Sequence, residues 1–459
     1  MIDFKKLAKN YYSEALNNLM EFLKINSVYD ENTVDEENPY GLGVSKALNF
    51  LKDLAQKYGF KANVYNNRVI EIVFGDKGND IGIFAHSDVV PATGKWDSDP
   101  FSPDIRDNKL YARGTSDDKG PLMAAFFALV LLKENNLIDD YKVRLVSGGD
   151  EERGSSCLSY YFETLKKPDV DFGFTPDADF PLIYGEKGIT NYSLKDKIDL
   201  KDIISIEAGV ASNCVIDRAV VELKDSTKFI EYLKNKNVNF SLEENKIVFN
   251  GKSAHGSTPE LGVNSGIIML ECLGDFYEID VLKELANQYK DYNGKNLNQY
   301  YYSENMGVTT YNVGLISYKD GVFEMVVNFR YPEIVDVDKV IDKIKEISPL
   351  KLYTERASHY LYFDPNCEMV KTLLDVYQKE TGDYESKPMT IGGGTYAKEA
   401  KNTIAFGSHF PGREDNIHSP NEKIDLDDFY NSISIYAHAI YKLGKLKKWD
   451  QNLKSGQSL

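Results

Sequence analysis

The chain has 459 residues, of which 42% are hydrophobic and 27% charged, a balance that supports two or three globular domains. A formal net charge of −17 repels phosphate backbones and anionic lipid, which argues against nucleic-acid and membrane partners. The four cysteines (Cys157, Cys214, Cys272, Cys367) lie far apart without a CxxC pair, so neither a disulfide framework nor a thiolate zinc site is indicated.

In chain order, residues 3–58 show helical apolar spacing, interrupted by a polar loop at 26–40. The first of these segments lacks the unbroken apolar core of a signal peptide, and with reduced cysteines this points to a cytoplasmic protein. Strand-like runs follow at 61–65, 69–74, 81–85 and 110–113. A helix is predicted over 121–134, with Pro121 in its first turn, and a strand over 143–147. The longest apolar run, 123–132, is about half of a membrane span. After Gly185-Glu186-Lys187-Gly188 the pattern becomes α+β, with strand-rich sections at 191–221, 238–251, 311–316 and 322–331 and helices at 226–236 and 266–276. With a helix at 367–381 the α/β pattern returns, and it ends in a helix at 426–446. The expected fold is an α/β catalytic domain, a mostly parallel central sheet flanked by helices, with an inserted α+β lid domain. The boundaries are 1–186, 187–364 for the lid and 365–459.

Residues able to bind metal gather at the ends of the predicted strands, where open α/β sheets build their sites. His86-Ser87-Asp88 ends the run 81–85, Asp117-Asp118 follows 110–113, Asp150-Glu151-Glu152 follows 143–147, and Asp177 follows another short apolar stretch. Far downstream, His418 stands in a turn-rich run. Each has a bland alternative: an Asp pair caps helices, acidic triplets are surface charge, and loop histidines are mostly not ligands. Together they supply two imidazoles and several carboxylates, a donor set for two borderline or hard divalent ions. Three ligand carboxylates and a hydroxide would balance two such ions, and Glu151 beside Glu152 offers a further carboxylate to take a proton from water.

The ordered set His86-Ser-Asp88-Val-Val-Pro91, Trp96-Asp-Ser-Asp-Pro-Phe101, Arg113-Gly-Thr-Ser-Asp117-Asp-Lys-Gly-Pro121, Asp150-Glu-Glu152, Pro176-Asp177-Ala, Gly185-Glu-Lys-Gly188, Ala254-His255-Gly-Ser-Thr-Pro259 and His418-Ser-Pro-Asn-Glu422 resembles the M20 metallopeptidases, in particular the PepV-type bacterial dipeptidases. The resemblance runs over nearly the whole chain. It implies that Asp117 bridges two metals, that His86 and Asp177 complete one, and that Glu152 and His418 complete the other. Asp88 would orient the His86 ring without ligating, and Glu151 would be the general base acting on a metal-bridging water. It also implies a cis peptide at Asp117–Asp118. Zinc is the first expectation, with manganese or cobalt also suited to so carboxylate-rich a site.

In the lid, the resemblance gives His255 the task of donating to the oxyanion and makes Asn213 a substrate contact. Arg330 would clamp a substrate carboxylate, aided by backbone N–H groups of Gly392, Gly393, Gly394 and Thr395. Read alone, His255 could cap a strand end, Arg330 could sit in an ion pair, and the glycines could be a turn. The free amine of a substrate would need an acceptor, for which Asp88 or a nearby carboxylate is available. The resemblance to the longer, doubled lid implies a monomer that closes its own site on a dipeptide. The alternatives are an N-acyl amino acid deacylase or desuccinylase, another M20 aminopeptidase or carboxypeptidase, and a binding protein that has lost the chemistry. The last should lack ligands or Glu151, and none is missing.

Overall fold

The computed structural model describes residues 2–354, 357–414 and 416–447. The chain divides into two units. One takes in the described residues up to Tyr184, then Phe363–Met389 and those from Thr395 onward; the other takes in Gly185–Tyr362 and Thr390–Gly394.

The first unit is built on β1 (Lys61–Tyr65), β2 (Val69–Phe74), β3 (Asp80–His86), β5 (Lys142–Gly148), β6 (Phe172–Thr175) and β7 (Thr403–Ala405). Their order across the sheet is β1-β2-β5-β3-β6-β7, followed by Ile183–Glu186. The four strands β5, β3, β6 and β7 run parallel, and both flanks are antiparallel. The centre is therefore parallel as expected, and the sheet as a whole is mixed. Residues 81–86 of β3 are buried without alternation, which is how a strand covered on both faces reads.

Helix α3 (Lys119–Glu134) is buried from Lys119 to Leu132, so it is apolar all round and not amphipathic. It packs against α5 (Leu426–Gly444) and against α1 (Tyr12–Leu23), while α2 (Leu42–Lys57) covers β1 and β2, and α4 (Glu368–Thr381) lies on α5. Each fully buried Leu or Phe on α3 contributes roughly 1.5–3 kcal/mol. Among the described residues no helix is long and apolar enough to cross a membrane.

One sequence expectation is displaced. The run 110–113 is not a member of the main sheet. Its strand, β4 (Lys109–Tyr111), sits between Asp104–Arg106 and β8 (Lys423–Asp425) in a separate three-stranded sheet. Its burial pattern explains this, since only Leu110 of the three residues is buried. The consequence is that β8, far along the chain, is brought beside the loop that precedes α3.

The second unit is α+β. Eight antiparallel strands lie in the order Phe240–Glu243, Lys246–Asn250, Arg218–Leu223, Ile203–Ala208, Thr310–Lys319, Val322–Tyr331, Gly188–Lys197, Lys351–Thr354. Helices Thr227–Asn235, Ser265–Tyr277, Asp280–Tyr289 and Val337–Ile347 accompany the sheet. The core of the unit includes Leu194, Val221, Phe249, Leu270, Leu273 and Val327. Asn264 caps Ser265–Tyr277 by accepting from the N–H groups of Gly266 and Ile267, a cap that stabilises by about 1 kcal/mol.

Candidate metal centre

Parallel pairing carries β3 to His86, opposite Gly148 of β5, and the imidazole is fully buried there. Its Nδ1 faces the Asp88 backbone oxygen at 3.0 Å and Asp88 Oδ1 at 3.4 Å. Its Nε2 faces Asp117 Oδ1 at 2.9 Å and Asp177 Oδ2 at 3.7 Å. Asp177 lies two residues past β6, and Asp117 lies in the loop entering α3, with the expected cis peptide to Asp118. On the other side of the Asp117 carboxylate, Oδ2 is 2.8 Å from His418 Nε2, which is also 3.0 Å from Glu152 Oε1. Two triplets result, His86–Asp117–Asp177 and Asp117–Glu152–His418, each with donor atoms mutually within 4.8 Å and both sharing Asp117.

Asp88 touches more than the His86 ring. Its two carboxylate oxygens accept the backbone N–H groups of Glu151 and Glu152, at 3.2 Å each. One side chain thus ties the His86 imidazole to the turn Glu151–Arg153. Asp88 is 3% exposed, and both of its carboxylate oxygens are engaged by these N–H groups. Asp150 closes the same turn by accepting from the Ser156 and Cys157 N–H groups at 3.0 and 2.8 Å. Asp118, fully buried, accepts the His86 N–H at 3.0 Å.

The donor chemistry fits a pair of cations. If Nδ1 carries the proton toward Asp88, His86 Nε2 presents a lone pair to Asp117 and Asp177, and His418 Nε2 faces Asp117 again and Glu152. Lone pairs facing one another require a proton or a cation between them. The electrostatics of the site agree. Asp117 and Glu152 push His418 up to about 11. Against the opposing effect of burial, Asp117 and Asp88 raise His86 well above its ordinary value. Burial lifts Glu151 far above the usual carboxylate range, with the charges of Asp177, Glu152 and Asp117 reinforcing it and His86 opposing. Burial and Asp117 likewise raise Glu152. Although burial opposes its ionisation, Asp117 itself is held low by His418 and His86. A locus that raises His86, His418, Glu151 and Glu152 together has a strongly negative potential, and divalent cations suit it.

The other histidines of the first unit are engaged elsewhere. His409 Nδ1 is 2.8 Å from Asp179 Oδ1, so His418, not His409, stands beside Asp117. His438 is buried on α5, 2.7 Å from Glu380 Oε1 and stacked on Phe4. A cleft of about 310 Å³ in this unit is bordered by Asp117 and Asp177 together with Asp179, His409 and Phe410. Tyr396, immediately after Thr395, turns its ring edge toward His86 at 6.2 Å and bonds Cys157 Sγ at 2.9 Å, a contact the sequence offered no signal for. Thr395 Oγ1 accepts the Ala397 N–H at 3.1 Å.

In the second unit, Arg330 is 3% exposed on Val322–Tyr331. It donates to Asn328 Oδ1 at 2.8 Å and to the Gly392 carbonyl at 2.6 Å, and burial pulls its guanidinium down to about 10. The arginine and the glycine run are therefore joined directly. Gly393 is half-buried and Gly394 exposed. The exposed His255 pairs with Cys214 in a lone β-bridge, and its Nδ1 is 2.6 Å from Ser257 Oγ. The adjacent Gly256 N–H donates to the carbonyl of Asn213, whose side chain is exposed. Asn213 and His255 thus lie on neighbouring segments within this unit.

Residues 82–442 match the model of Peptidase family M20/M25/M40. A protein of Bacillus subtilis named "Putative dipeptidase YtjP" is 36% identical over 94% of this chain and 97% of its own length. One of Staphylococcus haemolyticus, named "Putative dipeptidase SH1171", is 34% identical over 96% of this chain and 99% of its own length. Among solved structures, the M20 family metallo-carboxypeptidase Sso-CP2 of Sulfolobus solfataricus has the same fold, with a TM-score of 0.59 at 23% identity over 94% of this chain and all of that one. With the matched region covering most of the sequence and its donor residues gathered around Asp117, the chain belongs to peptidase family M20/M25/M40.

Proposed function

We propose that the protein is a two-metal dipeptidase, hydrolysing the amide bond of dipeptides. The observation that carries this reading is the Asp117 carboxylate, whose two oxygens face two different imidazoles, beside a turn bearing Glu151. The names borne by the relatives support the substrate class. His86, Asp117 and Asp177 would hold one ion, and Asp117, Glu152 and His418 the other. Zinc is the first choice and manganese or cobalt the next. When bound, the ions lower the pKa of water and polarise the scissile carbonyl.

Glu151 takes the proton of the attacking water and passes it to the leaving amine. A carboxyl raised by burial is suited to hold a proton between those two events. Asp88 keeps His86 in one tautomer and Glu151 in place through its backbone. From the lid, His255 donates to the carbonyl oxygen as charge develops on it, and Asn213 contacts the substrate. Arg330 with the N–H groups of Gly393, Gly394 and Thr395 takes the terminal carboxylate, which restricts substrates to short peptides. In this reading 1–186 and 365–459 form the catalytic domain and 187–364 the lid of a cytoplasmic monomer.

The test is metal analysis combined with turnover of Xaa-Ala dipeptides and of N-acetyl and N-succinyl amino acids, before chelation, after it, and after metal return. Dipeptide turnover that follows the metal supports the reading. Preference for the acylated substrates makes the protein a deacylase, and metal-independent turnover refutes the centre.

A further inference from the structure

Glu422 is fully buried, yet no part of the reaction above uses it. It lies four residues after His418 and immediately before β8. Its Oε1 accepts the backbone N–H groups of Ser116 at 2.9 Å, Gly114 at 3.1 Å and Asp117 at 3.2 Å. Its Oε2 takes the Arg113 guanidinium at 2.6 Å and shares the Gly114 N–H. Every residue from Arg113 to Asp117 except Thr115 therefore gives it a backbone N–H or a guanidinium bond, and the Thr115 hydroxyl stands 3.5 Å away. Gly114 has φ +92°, and a Cβ there would meet Val89 at 3.0 Å and Lys119 at 3.2 Å, so the loop is wrapped tightly around the carboxylate. Arg113 is itself 1% exposed and lies over the Trp96 ring at 5.2 Å. The Ser116 hydroxyl donates to the Lys423 carbonyl at 2.7 Å, and Asn421 is bonded to Asp97 through its side chain.

A carboxylate inside a ring of inward-pointing N–H groups is a strong local constraint, since each bond to an ionised acceptor exceeds a neutral one. The residue it constrains most directly is Asp117, whose own N–H is one of the donors. His418, at the start of the same short segment, meets the other end of the Asp117 side chain. We propose that Glu422 is a positioning residue for the metal pair: it fixes the backbone of Asp117 in register with His418, so that one segment, His418 to Glu422, supplies a ligand and also the anchor of the shared ligand. The inference rests on the two-metal reading above.

Glu422→Gln tests it at nearly constant volume. The amide NH₂ must face either Arg113 or the amides of residues 114–117, which sets donor against donor. The measurement is titration of the metal-free protein with Zn²⁺ or Mn²⁺ against a chromophoric chelator. Circular dichroism and thermal melting of the same samples report the fold. The expected result is a folded protein whose dissociation constants for the pair rise roughly 10–100-fold, with turnover returning once metal is raised above them. Glu422→Asp, which keeps the charge but is one methylene short, should fall between.

Asp117→Asn separates the two claims. If Asp117→Asn loses metal while Glu422→Gln binds as tightly as wild type, Glu422 is a packing residue only and the proposal is overturned while the centre stands. Wild-type binding by Asp117→Asn would overturn the centre and the proposal with it. Should neither Glu422 variant fold, or should turnover of a folded variant not return at saturating metal, the role is structural and the proposal also fails.

Discussion

Replacing Asp88 with alanine removes the acceptor of two partly buried N–H groups and the partner of the His86 ring in one step. Hydrogen bonds to a charged group stabilise by roughly 1.5–3 kcal/mol each, so the two from Glu151 and Glu152 set a ceiling of about 3–6 kcal/mol. Water entering the space left by the carboxylate offsets part of this, and we expect a loss of about 2–4 kcal/mol in the metal-free protein. For a unit of this size that lowers the melting temperature by roughly 5–10 °C. The ring of His86, still held by the Asp88 carbonyl, becomes less well oriented, and metal affinity should fall by about 10–100-fold. Thermal melting in chelator and competitive metal titration measure the two effects separately. A melting temperature within about a degree of wild type, together with unchanged metal affinity, would refute the reasoning, because neither the turn nor the ring would then depend on Asp88.

Glu151→Ala should keep both metals and lose most turnover, about 100-fold or more, since only the proton carrier is removed; wild-type turnover would show that another group is the base. His255→Ala should depress turnover with metal content unchanged, whereas loss of metal, read by elemental analysis, would make His255 a ligand. Metal uptake should grow tighter as pH rises: Asp117 and Glu152 push His418 up to about 11, so its ring carries a proton at pH 8 that coordination must expel, and His86 is shifted in the same direction. Calorimetry in buffers of different ionisation enthalpy should report proton release, and no release would contradict this protonation state. Arg330→Met should raise KM for dipeptides far more than it lowers kcat; equal effects on both would place the arginine at the reacting atoms instead.

The residues that gather around Asp117 were legible where each ends a local pattern. His86 closes a continuous apolar strand, Asp177 follows a proline after β6, and Glu151 and Glu152 follow β5. Strands β1 and β2 were readable to the residue because a turn with positive φ at Asn66 and Asn67 separates them. Helix Val337–Ile347 also has clear local signals, namely an Asp336 side chain that accepts from the Lys339 N–H and buried Val340 and Ile344, but it stands among strands and the surrounding pattern hid it. What no local pattern could give is partnership across the chain. Leu110 looks like a sheet residue until Ile424 is known to be its neighbour. Asp88 reads as an orienting group for one histidine, and only the turn after β5 reveals that it also holds Glu151 and Glu152.

In the two-metal reading, the two carboxylates that hold candidate ligands, Asp88 and Glu422, act by the same means. Each is buried, each accepts backbone N–H groups, and each fixes the peptide that carries a donor without spending that donor's own oxygens. This division has an electrostatic reason. Carboxylates that face the centre repel one another, and their backbones would drift apart if side-chain packing alone restrained them. Anchoring those backbones to separate, fully satisfied anions holds the repelling groups at short range before any cation arrives. The energy of that repulsion is then returned when cations bind, so affinity for the metals and strain in the metal-free protein are two sides of one arrangement. It follows that weakening either anchor should relax the metal-free protein's His418 toward its ordinary pKa. NMR titration of that imidazole in Glu422→Gln would detect the change, and an unshifted value would mean that the carboxylates stay together without their anchors.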